Sequence, residues 1–218
     1  HGHDVRFTQL ADAGRQQVRG RGRLGGDGNR HPQRRDLGAK PLGRFGHGGV
    51  FVLQVPYLLF YPDRNRDDVP DSDPEVLLEG FGMEDSQSLA NHLTWGPDGW
   101  LYGLNGSTTT CRIRGLTFQQ GVWRYHPVKR VFESFMEGTT NPWGVDFDDR
   151  GQAFVTACVI PHLYHLIPGG RYQRQAGQHF NPYTYDDIKT IARHRHYVGN
   201  QWNDGDRAKS DSLGGGHA

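Results

Sequence analysis

Several polar side chains lie between short apolar runs, where a folded chain can present them to a ligand. A histidine in such a place can act as a general base. His92 and His217 are the two candidates, the second inside the flexible stretch "GGGHA". Arg112 and Arg114 flank Ile113, so in a strand both would lie on one side and could clamp a carboxylate. A solvated strand face would show the same pattern, so both interpretations stay open.

The other candidate ligand contacts are polar or aromatic residues at similar junctions: Asn105, Asn141, Trp143 and His162. His162 and His165 are three apart in a strand-like run and would face opposite sides, so at most one of them belongs to a site. Two cysteines, Cys111 and Cys158, lack the spacing of a metal site. They are expected to be either two thiols or a single disulfide.

An acidic stretch resembles part of a calcium-binding loop. Oxygen-bearing side chains fall at positions 1, 3, 5 and 9 of that pattern, at Asp63, Asn65, Asp67 and Asp71. The pattern is incomplete, because Asp68 stands where it requires glycine and Pro74 where it requires glutamate. The stretch therefore predicts either a structural calcium site or a solvated acidic turn.

A repeat sets the spacing of the elements that must carry these residues. Leu93, Trp95, Gly99 and Tyr102 recur 52 residues later as Val145, Phe147, Gly151 and Phe154. The second half of the unit also repeats: "LLFYP" and "EVLLEGF" in one unit match "VWRYHP" and "FESFMEG" in the next. Each unit has four strand-like runs, and four strands in roughly 50 residues are typical of a β-propeller blade.

The sequence therefore predicts an all-β fold, with a partial β-propeller over residues 46–218. About two and a half four-stranded blades are legible, from a ring expected to hold about six. After Gly170 the pattern gives way to irregular C-terminal loops, with a short helix expected from about Asp186 to His194. The hairpin "LTWGPDGWLY" is interpreted as a blade hairpin in which Trp95 and Tyr102 serve mainly in packing.

Residues 1–45 form an atypical basic segment rich in glycine and arginine. Residues 1–48 hold ten basic and four acidic residues. Three interpretations compete: a nucleic-acid-binding arm, a G-x-G-x-x-G loop at 20–25 that lacks its flanking strand and helix, and GC-rich DNA translated out of frame. The third is favoured, since the segment has no periodic apolar pattern. It predicts no packed structure from about residue 13 to 46, and no nucleic-acid partner.

The bulk composition agrees with a turn-rich β protein. The 218 residues are 34% hydrophobic and include 31 glycines and 12 prolines, which leaves little room for long helices. No run approaches the roughly 20 apolar residues of a membrane-spanning helix. Because the chain starts at His1 rather than methionine, we interpret it as a fragment.

Taken together, the motifs resemble the propeller domain of the dehydrogenase-like proteins of Planctomycetes and Verrucomicrobia. The resemblance spans about residues 46–218 and rests on "GGVFV", "LLFYPDRNRDDVPD", "EVLLEGFG", "LTWGPDGWLYGLNG", "GVWRYHP", "NPWGVDFDDRGQAFVT" and "GGGHA". Those proteins are related to quinoprotein sugar dehydrogenases and often carry a c-type haem domain further along the chain.

The resemblance implies an extracytoplasmic or periplasmic protein that oxidises a sugar or other alcohol. Its cofactors would be pyrroloquinoline quinone and Ca²⁺, and its electrons would pass to a haem domain absent from this chain. Arg112, Arg114, Asn105, Asn141, Trp143 and His162 become candidates for cofactor binding, with His92 or His217 as base. One departure matters, because Ser88 stands where the related enzymes have the catalytic histidine. The alternative is a non-catalytic binding platform for a carbohydrate or a protein.

Overall fold

The computed structural model describes residues 43–139, 141–158, 162–174, 178–183, 186–191, 197–198 and 201–202. Every regular element in these ranges is a β-strand, which confirms the all-β prediction. Over the same residues there is no helix long and apolar enough to cross a membrane. Most of the basic N-terminal segment, which includes the G-x-G-x-x-G stretch, lies outside the described residues.

The first two sheets have the four-stranded antiparallel core of a blade. The first sheet consists of β1 (Gly43–Gly46), β2 (Gly49–Gln54), β3 (Tyr57–Pro62) and β4 (Glu75–Glu79), in chain order. The second contains β5 (Asn91–Trp95) and β6 (Leu101–Asn105), then β9 (Gly121–His126) and β10 (Val131–Thr139). Between β6 and β9, β7 (Cys111–Ile113) and β8 (Leu116–Phe118) form a separate hairpin.

The third sheet is incomplete over the described residues. It consists of β11 (Pro142–Phe147), β12 (Ala153–Ala157) and β13 (Leu163–Leu166). β14 (Arg171–Arg174) follows, and β15 (Tyr197–Val198) pairs antiparallel with β16 (Gln201–Trp202). Two four-stranded units and a three-stranded one agree with the predicted two and a half blades.

The sheets are arranged as successive blades of a propeller. The first strand of each unit lies at the edge of its sheet, and β5 contacts β1 on one side and β11 on the other. These three strands are therefore the inner strands. Side chains that alternate along each strand fill the spaces between sheets. One core joins Leu53 of the first sheet to Trp123 of the second, and the other joins Leu104 of the second to Val155 of the third.

The repeated hairpins match the sequence pattern. Gly99 and Gly151 have φ of 79° and 78°, values that favour glycine, and each lies in the turn between the first two strands of its unit. Tyr102 is 2% exposed and its hydroxyl donates to Asp98 Oδ2 at 2.8 Å. The ring nitrogen of Trp95 donates to the carbonyl oxygen of Phe45 at 2.8 Å. Both aromatic residues serve in packing, as predicted.

Three details differ from the sequence-based expectations. β14 pairs in parallel with β10, so the second sheet gains a fifth strand. The two backbones come close at Gly138, where a side chain would collide with Tyr172. The predicted helix from Asp186 is wrong over residues 186–191, because Ile188 instead forms a bridge with Tyr172. Finally, β1 begins at Gly43, inside the stretch expected to lack packed structure.

The connections define two ends of the propeller. At the turn end lie the tight turns after β1, β5, β9 and β11, and the acidic loop between β3 and β4. At the opposite end, named here the loop end, lie the connections 80–90 and 106–120, Asn141 before β11, and Cys158 and His162 between β12 and β13. Most of the candidate ligand contacts fall at the loop end.

Candidate functional site

Trp143 and Asn141 lie at the loop end of the innermost strand of the third unit. The pairing of β11 with β12 shifts register between Pro142 and Gly144, so Trp143 lies in a β-bulge. Bulges turn a side chain away from the regular face of a sheet, and the Trp143 side chain is 42% exposed. Asn141 is anchored, since its Oδ1 accepts a hydrogen bond from Ser107 N at 3.1 Å. The pair presents an exposed aromatic face beside a fixed amide.

Ser88 is the centre of a buried hydroxyl cluster beside these residues. It is 1% exposed, and its Oγ lies 3.0 Å from Thr108 Oγ1 and 3.1 Å from Thr109 Oγ1. The Ser88 carbonyl also accepts a hydrogen bond from Gly106 N at 3.1 Å. The residue at the expected position of the catalytic base therefore joins two loops together, and its hydroxyl is closed off from solvent.

Asp85 completes this cluster at the surface. Thr108 Oγ1 donates to Asp85 Oδ2 at 2.7 Å, and Gln87 N donates to Asp85 Oδ1 at 2.9 Å. The hydrogen bond from Thr108, followed by those from Gln87 and Ser88, lowers the pKa of the Asp85 carboxyl. Sequence reasoning missed Asp85, Thr108 and Thr109. A local signal existed, because "DSQS" and "STTT" stand at the predicted loops on either side of one hairpin.

His92 lies between the second and third units. It is 4% exposed, and its Nε2 lies 3.0 Å from the carbonyl oxygen of Val145. A register shift between Asn91 and Thr94 and a φ of 50° at His92 aim the ring across the boundary between the two sheets. This position gives His92 a contact that joins two blades, and its ring does not open onto the loop-end surface.

Asn105 is also buried, with 0% exposure. Its Nδ2 donates to the carbonyl oxygens of Thr109 at 2.8 Å and Gln119 at 3.0 Å. Both acceptors belong to the long connection that contains the hairpin β7–β8. Asn105 therefore fixes the start and the end of that connection, and the structure places its amide inside the protein.

Arg112 and Arg114 are exposed, and Ile113 between them is buried. Only Arg112 lies in β7, because Arg114 lies in the turn that follows, with a φ of 49°. The strand alternation expected from the sequence therefore ends before Arg114. The hairpin β7–β8 packs against β4, the outer strand of the first unit, and so lies away from the inner strands. Arg114 donates to the carbonyl oxygens of Arg130 and Leu77. A shallow groove of about 510 Å³ contains Arg112, Arg114 and Glu79. The two arginines thus lie away from Trp143, and one already has backbone acceptors.

The acidic stretch lies at the turn end, far from the other candidates. Asp63 Oδ1 accepts from Asp67 N at 3.2 Å, Asp67 Oδ1 from Val69 N at 2.9 Å, and Asp71 Oδ2 from Arg64 N at 2.9 Å. Asn65 donates to Asp67 Oδ2 at 2.9 Å. Across the described part of the chain, no group of three or more histidine, cysteine, aspartate or glutamate side chains is arranged to hold a metal ion.

His162 lies at the loop end, with its Nδ1 3.3 Å from the carbonyl oxygen of Ala157. Cys111 and Cys158 form no disulfide, and burial raises the pKa of the Cys111 thiol to about 12. His217 lies outside the described residues, so its proposed role stays a prediction.

The geometry supports ligand binding at the loop end better than it supports acid–base chemistry there. Trp143 and Asn141 are brought together with the Ser88 cluster, whereas Arg112, Arg114 and the acidic stretch lie elsewhere. A quinone with several carboxylates requires cationic partners. The described arginines do not supply a pair of them beside Trp143.

A family model described as a domain of unknown function (DUF7133) matches residues 44–211. Its start coincides with β1, and it covers all three sheets of the propeller. No curated protein and no solved structure matches the chain.

Proposed function

Since the chain belongs to the DUF7133 family, we propose a function from its geometry: the propeller is a platform that binds a hydroxylated ligand, a sugar or other alcohol, at its loop end. The observation that carries this proposal is the bulge that exposes Trp143 on an inner strand, beside the anchored Asn141. An indole face packs against the apolar face of a sugar ring, and amides and carboxylates bond its hydroxyl groups.

One further feature supports binding at this place. The loops around the site are stiffened by the Ser88 cluster and by Asn105, which reduces the entropy lost when a ligand binds. The buried positions of Ser88 and His92 favour binding without turnover.

Sugar titration of the full chain tests the proposal. D-glucose, D-xylose and D-mannose are added at millimolar concentrations, and binding is followed by saturation-transfer NMR. At least one sugar is expected to bind, with Trp143→Ala weakening its affinity about tenfold. Tyr183→Ala is the matched control, because Tyr183 is an aromatic residue that is 91% exposed on the outer rim. Absence of binding, or equal losses in both variants, would refute the proposal.

Oxidation of the bound sugar or alcohol is the second candidate function. It follows from the resemblance to quinoprotein dehydrogenases, and the exposed indole of Trp143 favours it because an indole can stack on a planar cofactor. Pyrroloquinoline quinone and Ca²⁺ would then require partners beyond the described residues, with His217 as the sequence-based choice for the base. A c-type haem domain as electron acceptor and a periplasmic location belong to the same proposal.

Dye reduction separates the two candidates. The full-length protein is incubated with pyrroloquinoline quinone and Ca²⁺, and reduction of an artificial electron acceptor is followed with the same sugars. Turnover that is lost in His217→Gln would establish the second candidate. Sugar binding without turnover would leave the platform as the function.

A further inference from the structure

Residues 178–183 and 186–188, named here the strap, lie across the outer rim of the second sheet at the loop end. Backbone pairing holds its far part, since Ile188 N donates to Arg171 O at 2.8 Å and Gln173 N donates to Ile188 O at 3.0 Å. Side chains hold the near part. Gln178 N donates to Gln119 Oε1 at 2.7 Å, and Phe180 N donates to Glu137 Oε2 at 3.3 Å.

His179 connects the strap to β14. Arg174 Nε donates to His179 Nδ1 at 2.9 Å. Since Arg174 has only donors to offer, Nδ1 must be the acceptor, and the neutral ring carries its proton on Nε2. That nitrogen faces Asp187 Oδ2 at 3.4 Å. The hydrogen bond between Arg174 and His179 therefore exists only while the imidazole is neutral.

Three charged groups act on the imidazole from the elements packed around it. β14 contributes Arg171 and Arg174, and the strap itself contributes Asp187. Glu137 of β10 lies on the other side of this contact, paired with Arg174. Arg171 Nε already donates to Asp187 Oδ1 at 2.7 Å. The Arg174 side chain is 6% exposed, with its Nη2 3.9 Å from Glu137 Oε2. It also donates to Gln120, so it has little freedom to withdraw.

We propose that His179 makes the strap a pH-sensitive latch, closed when the imidazole is neutral and released when it is protonated. A proton on Nδ1 would place an N–H group against Arg174 Nε–H and put a second cation beside a buried guanidinium. The two carboxylates nearby offset only part of this cost, because Asp187 is already paired with Arg171. Release would uncover Arg174 and Glu137 at the loop end.

The direction of the pKa shift agrees with this geometry. Burial, and then the charge of Arg174, lower the pKa of His179 below its usual value of 6.5. A lowered pKa in the closed state means that the closed strap binds fewer protons than the open one. Closure is therefore favoured above about pH 6.5, and its advantage falls by up to tenfold per pH unit below that value.

Hydrogen exchange on the full chain tests the latch. The amides of Gln178 and Phe180 are compared at pH 7.5 and 5.5, after correction for intrinsic exchange rates, with the amides of β6 as an internal reference. Their opening constant is expected to rise at pH 5.5, by at most about tenfold, while the β6 amides stay unchanged. A flat response at these two amides, or loss of protection throughout the chain, would overturn the proposal.

Two variants assign the response to this histidine. His179→Gln keeps an acceptor for Arg174 but does not titrate, so the pH response should disappear. His165→Gln is the matched control, because His165 is half-buried on β13 and faces Gln152 Oε1 at 2.9 Å, so the response should persist. Should His179→Gln fold poorly, NMR titration of His179 in the native chain decides. A pKa at or above 6.5 would refute the latch.

Discussion

Replacement of Ser88 by alanine is the most direct test of the closed hydroxyl cluster. The substitution removes the partner of two hydroxyl groups, and Thr109 is 0% exposed. Its hydroxyl would keep only the contact to Asp85 O at 3.4 Å. A buried polar group that loses its partner costs about 1–3 kcal/mol. We therefore expect the free energy of unfolding to fall by about 2 kcal/mol.

Thermal unfolding measures this loss. For a chain of this size, 1 kcal/mol corresponds to roughly 2–4 °C, so the midpoint should fall by ~4–8 °C. Ser86→Ala is the matched control, because Ser86 is exposed in the same loop, and it should leave the midpoint within about 1 °C. Equal midpoints for the two variants would show that Ser88 is not a structural centre.

A histidine at position 88 extends the same test. A Cβ added to Gly106 would lie 2.5 Å from the Ser88 Cα, so the two loops are already in close contact. The larger imidazole should destabilise the protein by more than alanine does, since it combines lost hydrogen bonds with overpacking. A tolerated Ser88→His variant would mean that the position opens to a ligand and that the dehydrogenase interpretation deserves renewed testing.

Two further predictions concern the second sheet. Gly103→Ala should lower the free energy of unfolding by about 2–3 kcal/mol in urea denaturation, because its Cβ would lie 2.5 Å from Trp123 Cε2. Gly115→Ala, with open space around its Cβ but a φ of 84°, should cost only about 1 kcal/mol. Equal losses would contradict this packing. Burial raises the pKa of Tyr102 to about 12. The contribution of this shift to the free energy of unfolding is therefore complete below pH 10 and is lost as the pH rises toward 12. In an alkaline titration, the stability of Tyr102→Phe should decline less steeply than that of the native chain, and parallel curves would refute this contribution of Tyr102.

The architecture was largely predictable because it depends on local patterns. The recurrence of Leu93 and Tyr102 as Val145 and Phe154 places equivalent strands at equivalent distances, and alternation along a strand determines which side chains enter a core. The fifth strand of the second sheet was not predictable. β14 lies across from β10 only because Gly138 permits close approach, and that contact joins residues distant in sequence.

The candidate site shows a sharper division. The sequence indicated that polar residues gather in the connections, but the spacing of residues along a chain does not tell which connections meet. Arg112 and Arg114 were expected on one side of a strand, but β7 ends at Ile113 and Arg114 lies in the turn that follows. The hairpin carries both residues to the outer strand of the first sheet. Asn141 and Trp143 lie at the loop end because β11 is an inner strand.

By itself, the sequence determined the strands of the repeated units, the turns at Gly99 and Gly151, and the absence of a histidine at position 88. Those features depend on backbone preferences and on the period of apolar residues. Only the tertiary structure decided that Ser88 and His92 are enclosed, that Trp143 is exposed, and that His179 lies between Arg174 and Asp187. Burial and charge at a residue are sums over neighbours from other sheets and loops, and those neighbours are brought together only when the sheets pack.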